Sequence, residues 1–451
     1  PEWMFGVSDG FDIVIGNPPY LRIQELRKTN NELADYLSKM YKSATGSFDL
    51  YVTFVERGLK LVKPTGVIYY IMPVKWTNSS FGKGLRNLCY EKSFMSSIIN
   101  FVAYQVFEAS TYTGIHCFKK AEKLSYLELD RDMKDNHELH EFLKSITAKD
   151  FVDIKIKNSD AWILTNKSVN KVLEKLNQCP YRLSDIFEKI FQGIATSKDD
   201  VYFLYDCHLV NSEEVEGYSK YLQRRIVIEN GLVKPLLKGE DVHRYMPLST
   251  DRFVIFPYDL STGKAELFTE SQISSLFPKG YSYLKECETE LRGREKGRFN
   301  NDKWYMFGRG QGLNYGGIPK LLAPEISLGG NFSYDKNGHF YSTTTVYGYI
   351  RKENIRITYE TLLAIMNSRL CWWFLKNTGT VLANGYFRYK PAYLFPFPIP
   401  KIEETEDRRI QEMVNKLQVS EEKSFLLKGL DTCIYALYGL TKDEIDQVSN
   451  D

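Results

Sequence analysis

Four consecutive residues, Asn17-Pro18-Pro19-Tyr20, offer the most specific chemistry in this sequence. They follow directly on the apolar run Phe11-Asp12-Ile13-Val14-Ile15-Gly16, which reads as a buried strand. The exocyclic amino group of adenine or cytosine has its lone pair delocalised into the ring and is a weak nucleophile. Two acceptors set on its two N–H bonds draw it toward tetrahedral geometry and aim the lone pair at an incoming methyl. The side-chain carbonyl of Asn17 can be one acceptor. The main-chain carbonyl of Pro18 can be the other, because Pro19 has no N–H to compete for local bonding. Two successive prolines stiffen the loop, so the geometry is set beforehand. Tyr20 adds a ring face on which a base can stack. The chemistry indicated is methylation of an amino group, and it requires no cysteine nucleophile. The competing reading is a strand followed by a proline-stiffened turn, and context must decide between the two.

The surrounding elements are those of an α/β sheet. Phe48 to Val62 reads as a helix with Phe48, Tyr51, Val55, Leu59 and Val62 on one face, ended by Lys63-Pro64-Thr65-Gly66. Val67 to Met72 reads as a second buried strand and Phe81 to Lys92 as a helix. Ser97 to Phe101 and Thr113 to Lys119 read as two more strands. Strand–helix–strand alternation predicts a parallel sheet. It is also an incomplete one, since a doubly wound sheet has strands on both sides of its central crevice. Residues 121–180 form a charged connector. From 181 to 400 short β-like runs alternate with Gly, Asn and Asp turns, interrupted by one amphipathic helix over Tyr359 to Lys376. Residues 401–451 read as helices, with Thr441 and Glu444 spaced as a capping box.

Further segments carry a family resemblance. Phe11 to Tyr20 resembles the catalytic motif of S-adenosylmethionine-dependent adenine-N6 DNA methyltransferases. Tyr51 to Gly66 is similar to the helix after that motif in the TaqI-like branch and in fused type II (type IIG) restriction–modification enzymes. Tyr70-Ile71-Met72-Pro73-Val74-Lys75-Trp76 resembles their next strand and its Pro-x-Lys-Trp loop. Val106 to Ile115 resembles the later motif whose phenylalanine supplies the second face of a clamp on the extruded base. The resemblance therefore implies that Phe107 stacks opposite Tyr20. A stacked adenine cannot present its amino lone pair to a pocket-held donor, so extrusion follows from physics as well. The catalytic residues expected are Asn17, Pro18, Pro19 and Tyr20.

Leu183 to Ile186, Gly193 to Thr196, Leu236 to Val242, Trp304-Tyr305, Asn367-Ser368 and Phe397 to Pro400 resemble TaqI-like target-recognition domains. The implied plan is the C-terminal half of a Rossmann-like methyltransferase domain (1–120), a connector (121–180), an α+β target-recognition domain (181–400) and C-terminal helices (401–451). In this family the Gly-rich donor loop lies well upstream of the catalytic motif, but only 16 residues precede Asn17 here. Gly82-Lys83-Gly84 and Gly308 to Gly312 are no substitute, since neither follows a buried strand and opens a helix. The expectation is a fragment beginning at Pro1, inactive alone. Its main S-adenosylmethionine site would lie in an upstream part of the same polypeptide, which in such enzymes often includes a nuclease domain.

The expected partner is double-stranded DNA. A net charge of +2 neither favours nor opposes this, because local patches do the work. Arg292, Arg294, Lys296, Arg298, Lys303 and Arg309 crowd one stretch, where Asn300 and Asn301 favour loops. Asn384 to Lys390, with Arg388, is a second candidate. Lys75, Arg292, Arg294, Arg298, Arg309 and Arg388 are the expected DNA contacts, against the plainer reading of solvated charged loops. No apolar run approaches the roughly 20 residues of a membrane span. The seven cysteines show no C-x-x-C spacing, so neither a metal site nor a redox motif is expected, and the location expected is a prokaryotic cytoplasm. Two rivals remain. One is an amino-group methyltransferase acting on protein or RNA, whose chains also use Asn-Pro-Pro-Tyr but lack so long a trailing domain. The other is a DNA-binding specificity module without catalysis.

Overall fold

The protein is described by a computed structural model covering residues 9–102, 104–107, 112–129, 133–156, 158–379, 386–389, 391–419 and 423–450. It divides into two compact units, Pro1–Val172 and Leu173–Asp451.

The first unit is built on a six-stranded sheet. Its strands are β1 (Phe11–Gly16), β2 (Val62–Pro73), β3 (Ser97–Asn100), β4 (Thr113–Phe118), β5 (Leu124–Glu128) and β6 (Val152–Ile154), in the order β1-β2-β4-β3-β5-β6. β1 runs parallel to β2, with Ile15 opposite Tyr69 and Gly16 opposite Tyr70. The fully parallel sheet expected from the alternation is not what forms. β4 is antiparallel to both its neighbours, β2 and β3. A parallel neighbour needs a crossover of a dozen or more residues, normally helical. β3 and β4, successive in sequence, pair antiparallel instead. The stretch read as a connector supplies β5 and β6, which extend the same sheet.

Alternation along β2 sorts its side chains between the two faces. Ile68, Tyr70 and Met72 point into a core with Tyr51, Val52 and Val55 of helix α1 (Tyr51–Leu61) and with Leu85 and Cys89 of helix α2 (Lys83–Lys92). A Cβ at Gly58 would come within 2.9 Å of the Tyr70 hydroxyl, so the first of these helices lies flush on β2 only because that residue is glycine. On the opposite face Ile71, Ile99 and Ile115 pack with Phe101, Leu129 and Leu139. That cover does not reach β1. Ile13 and Ile15 are 64% and 80% exposed, beside a 42% exposed Tyr69. Among the described residues β1 pairs with β2 alone.

The second unit is α+β. One six-stranded sheet comprises Phe203–Leu209, Glu214–Ser219, Arg224–Glu229, Val233–Leu237, Phe253–Ile255 and Tyr341–Ser342. Helices Glu270–Leu276, Pro278–Glu286 and Glu288–Gly297 bury Ile273, Tyr283, Leu284, Cys287 and Leu291 against it. A four-stranded sheet joins Phe187–Gln192, Lys320–Pro324, Ser333–Asp335 and Val346–Arg351. Within it Lys320 and Asp335 form an ion pair at 2.6 Å, their side chains 1% and 2% exposed. The Lys320 ammonium also donates to the carbonyls of Gly316 and Ile318. Asp335 accepts from the backbone N–H groups of His339 and Phe340, so every charge in the pair is hydrogen-bonded.

The single helix expected over Tyr359 to Lys376 is two, Tyr359–Asn367 and Arg369–Thr378. Ser368 leaves helical geometry between them (φ −67°, ψ 154°), and its hydroxyl caps the second by accepting from Cys371 N at 3.1 Å. Three helices close the chain, Glu404–Val419, Lys423–Leu437 and Lys442–Asn450. The last opens on the expected capping box. Thr441 N donates to Glu444 at 2.8 Å, and Glu444 N to the Thr441 hydroxyl at 3.4 Å. No helix among the described residues is long and apolar enough to cross a membrane.

Candidate functional site

The parallel pair β1–β2 brings two loops together at its carboxyl end, the edge where α/β sheets bind ligands. Asn17 to Tyr20 leaves β1, and Lys75 sits on the short turn Val74–Thr77 that leaves β2. In the first loop Pro18 is buried, while Asn17 and Pro19 are exposed. Among the described residues nothing donates to the Pro18 carbonyl. Tyr20 is half-buried. Its hydroxyl lies 2.7 Å from Asn17 Oδ1 and 2.9 Å from the carbonyl oxygen of Ile71, which ties the loop to β2. Burial pushes the Tyr20 phenol up to about 12, so it keeps its proton throughout the neutral range.

Phe107 is the expected second face of the clamp. Its ring centroid lies 6.5 Å from that of Tyr20, with the planes 60° apart. A base held between two rings needs about 7 Å, twice a carbon–carbon contact of about 3.5 Å. The spacing is therefore close to what a base requires, and the rings must turn toward parallel to accept one. Glu108 to Thr111 of that motif lie outside the described residues.

Three neighbours of this loop carried no site expectation in the sequence. The fully buried Tyr51 stands edge-on to Tyr20 at 6.4 Å and 87°, and supports its ring from behind. Arg22 and Asp49 face each other across an isolated antiparallel bridge. Asp49 is half-buried, and desolvation holds its carboxyl above the usual carboxylate range against the pull of Arg22 and Lys75. The turn carrying Lys75 is fastened from beneath. Trp76 Nε1 donates to His116 Nε2 at 3.2 Å, and Nδ1 of the same ring is 3.0 Å from the Gly114 carbonyl. These two contacts fix a neutral tautomer with the proton on Nδ1. Burial drives the pKa of that imidazole down to about 3. Arg86 donates to the carbonyls of Trp76 and Ser79 and closes the turn. Lys75 itself is exposed.

In the second unit the basic stretch sorts into unlike parts. Arg294, expected as a DNA contact, is turned inward and 5% exposed. Its guanidinium donates to the carbonyls of Leu291, Thr196, Trp304 and Met306 at 2.6–2.9 Å and lies 4.2 Å over the Phe299 ring. Four of its five N–H donors are spent on these carbonyls and the group is buried, so it does not face a phosphate, and that expectation is corrected. The stretch is also not all loop. Helix Glu288–Gly297 runs through it and breaks at Arg294 (ψ 144°), Glu295 (φ 49°) and Lys296 (φ 62°). Arg292 is held by Glu288 and the Asn301 carbonyl. Arg298 and Arg309, 64% and 53% exposed, flank the Glu295 carboxylate. That carboxyl is held low by the Ser197 hydroxyl and then by Arg309 and Arg298. Lys296 and Lys303 are exposed beside them. A Cβ at Gly308 would fall on the Ser197 side chain, so only glycine lets the loop close here. Arg388 lies on a two-stranded ribbon, opposite Ile326, with Glu325 at 3.8 Å. Asn384, Gly385 and Lys390 of that candidate lie outside the described residues. Among the described residues no cluster of metal-ligating side chains occurs, and all seven cysteines are free thiols.

Residues 1–107 match the family model of the Eco57I restriction-modification methylase, and residues 234–399 that of the TaqI-like C-terminal specificity domain. The chain is 26% identical over 448 residues to the type II restriction enzyme and methyltransferase RM.Eco57I of Escherichia coli, covering 92% of this chain and 43% of that protein. It is also 26% identical over 463 residues to the type II methyltransferase M.BstVI of Geobacillus stearothermophilus, covering 98% of this chain and 75% of that one. Among solved structures, the type IIL restriction-modification enzyme MmeI in complex with DNA shares the fold. The TM-score is 0.57 at 14% identity, over 97% of this chain and 56% of that one. The chain thus spans less than half the length of the first of these relatives.

Proposed function

From an Eco57I-type methylase segment at its start and a TaqI-like specificity domain after it, we propose that this chain carries the acceptor side and the target recognition of a site-specific DNA adenine-N6 methyltransferase of a restriction–modification system. The observation that carries the reading is the loop Asn17 to Tyr20 at the carboxyl end of β1. An exposed amide, a Pro18 carbonyl with no donor among the described residues and a supported aromatic ring lie there together. An extruded adenine stacks on Tyr20 with Phe107 on its other face, which offsets part of the stacking lost from the duplex, ~1–3 kcal/mol per base. Asn17 and Pro18 accept the two amino hydrogens, and the nitrogen lone pair turns out of the ring plane. Lys75, exposed on the fastened turn that leaves β2, is proposed to meet the DNA backbone. The preference for adenine over cytosine rests on the family resemblance.

S-adenosylmethionine would supply the electrophilic methyl. Among the described residues the sheet stops at β1, and we infer that the donor pocket is built mainly beyond that edge. The uncovered Ile13, Ile15 and Tyr69 beside the single-sided pairing of β1 support a further, donor-binding part of the same polypeptide seated there. The 451-residue chain alone is therefore expected to transfer no methyl group. Incubation with tritiated donor and mixed-sequence DNA checks this, and clear incorporation by the pure chain would place the donor site within it.

Lys296, Arg298, Lys303 and Arg309 are exposed basic residues of the specificity domain and are proposed to meet phosphates, with Arg388 a second contact. Arg292 is a weaker candidate because its donors are engaged within the fold. Replacing those first four by alanine should flatten the dependence of log affinity on log salt by about 0.9 for each cation that neutralises a phosphate. Fluorescence anisotropy with a labelled duplex from 50 to 200 mM salt reads this out, and an unchanged slope removes the surface from the interface.

A further inference from the structure

Among the described residues, the hydrogen bonds around the catalytic amide do not balance as a set of acceptors alone. The Tyr20 hydroxyl has one proton, yet two oxygens stand within reach, Asn17 Oδ1 at 2.7 Å and the Ile71 carbonyl at 2.9 Å. One proton serves one of them well and leaves two lone-pair-bearing oxygens in contact across the other distance. The Ile71 carbonyl can only accept. The amide of Asn17 is nearly symmetric in shape, and either end can face the hydroxyl. Turning it by half a rotation settles every partner. Asn17 Nδ2 then donates to Tyr20 Oη, and Tyr20 Oη donates to Ile71 O.

We infer that the Tyr20 hydroxyl sets the direction of the Asn17 amide, holding its NH2 end against β2 and thereby presenting its carbonyl end to the substrate amino group. This deepens the methyltransferase reading and rests on it. The ring of Tyr20 stacks the base, and its hydroxyl is a positioning group that acts through Asn17. The order of the chain matters. If the amide's oxygen faced Tyr20, its NH2 would face the substrate amino group, donor against donor, and the lone pair would not be drawn out of conjugation. The relay is anchored on a main-chain carbonyl of β2, which no side-chain substitution removes. The raised phenol keeps its proton, so the relay does not reverse with pH across the neutral range.

The test uses the methyl-transferring polypeptide proposed above, with Tyr20→Phe, which keeps the ring and removes the hydroxyl. Two quantities are read on one DNA site: the single-turnover rate of methyl transfer, and base extrusion from the fluorescence of 2-aminopurine placed at the target. The expected result is a rate reduced tenfold or more with an extrusion signal within twofold of wild type. A rate within threefold of wild type, or a rate loss matched by an equal loss of extrusion, overturns the role. The same change is then made in an Asn17→Asp background, where both ends of the side chain are acceptors and direction no longer matters. There Tyr20→Phe should cost less than threefold; a cost equal to that in the Asn17 background would mean the hydroxyl only braces the loop, and overturns the role too. A wild-type protein that leaves no methylated adenine removes the functional reading itself, whereas an active wild type with an equally active Tyr20→Phe removes only the positioning role.

Discussion

Replacing Asn17 with alanine in the full-length protein is expected to lower the single-turnover rate of methyl transfer by at least about 10²-fold, the scale on which one preorganised polar contact to a reacting group acts. Binding of DNA should stay within about threefold of wild type. The separation follows from position. Asn17 is exposed at the end of β1 and its side chain braces no core, whereas Tyr20 beside it remains tied to Ile71 and propped by Tyr51. Losing the amide therefore leaves the loop and the stacking ring in place and removes one of only two acceptors that pull the amino lone pair out of conjugation. Quenched single-turnover assays alongside equilibrium binding to the same duplex decide it. Parallel loss of binding and rate would assign Asn17 to DNA docking, and unchanged methylation would move the chemistry away from this loop.

The largest effect on stability is expected at Asp335. Changing it to alanine strands the Lys320 ammonium inside the four-stranded sheet with only the Gly316 and Ile318 carbonyls for partners. It also removes the acceptor for the His339 and Phe340 N–H groups. Breaking one partner from a buried pair typically costs about 3–5 kcal/mol, because the remaining charge is left uncompensated. Replacing both, as Lys320→Met with Asp335→Leu, should cost clearly less, since the pair's own desolvation disappears with it. Urea unfolding of the wild type and the two variants distinguishes these outcomes. Equal destabilisation by the single and double changes would mean that the hairpin contacts, not the charge, dominate.

How much of this was legible in sequence depended on distance along the chain. The strand Phe11–Gly16 and the loop after it could be read because they are contiguous and each residue type has a local physical reason to be there. The capping box at Thr441 and Glu444 was legible for the same reason. Three features escaped. The break at Ser368 was hidden by an apolar run that continues across it, since Leu362 to Met366 on one side and Leu370, Cys371 and Trp373 to Leu375 on the other are buried. The inward turn of Arg294 depends on two successive left-handed residues, Glu295 and Lys296, neither of them glycine, and nothing local announces that conformation. Asp49 and Arg22 meet only because α/β packing brings residue 49 beside residue 22. A count of basic residues could find the charged stretch but not which of its members face water.

Arg294 fastens the loop that displays Arg298 and Arg309 by gripping main-chain carbonyls at residues 196, 291, 304 and 306. Carbonyl oxygens belong to every amino acid, so the grip is indifferent to which side chains the gripped positions carry. Exposed residues of the loop can therefore be exchanged while its path is kept, and the constraint on their identity comes from the surface they meet. A loop held in this way separates the inheritance of its path from that of the side chains it displays, so those side chains can change without loss of the frame.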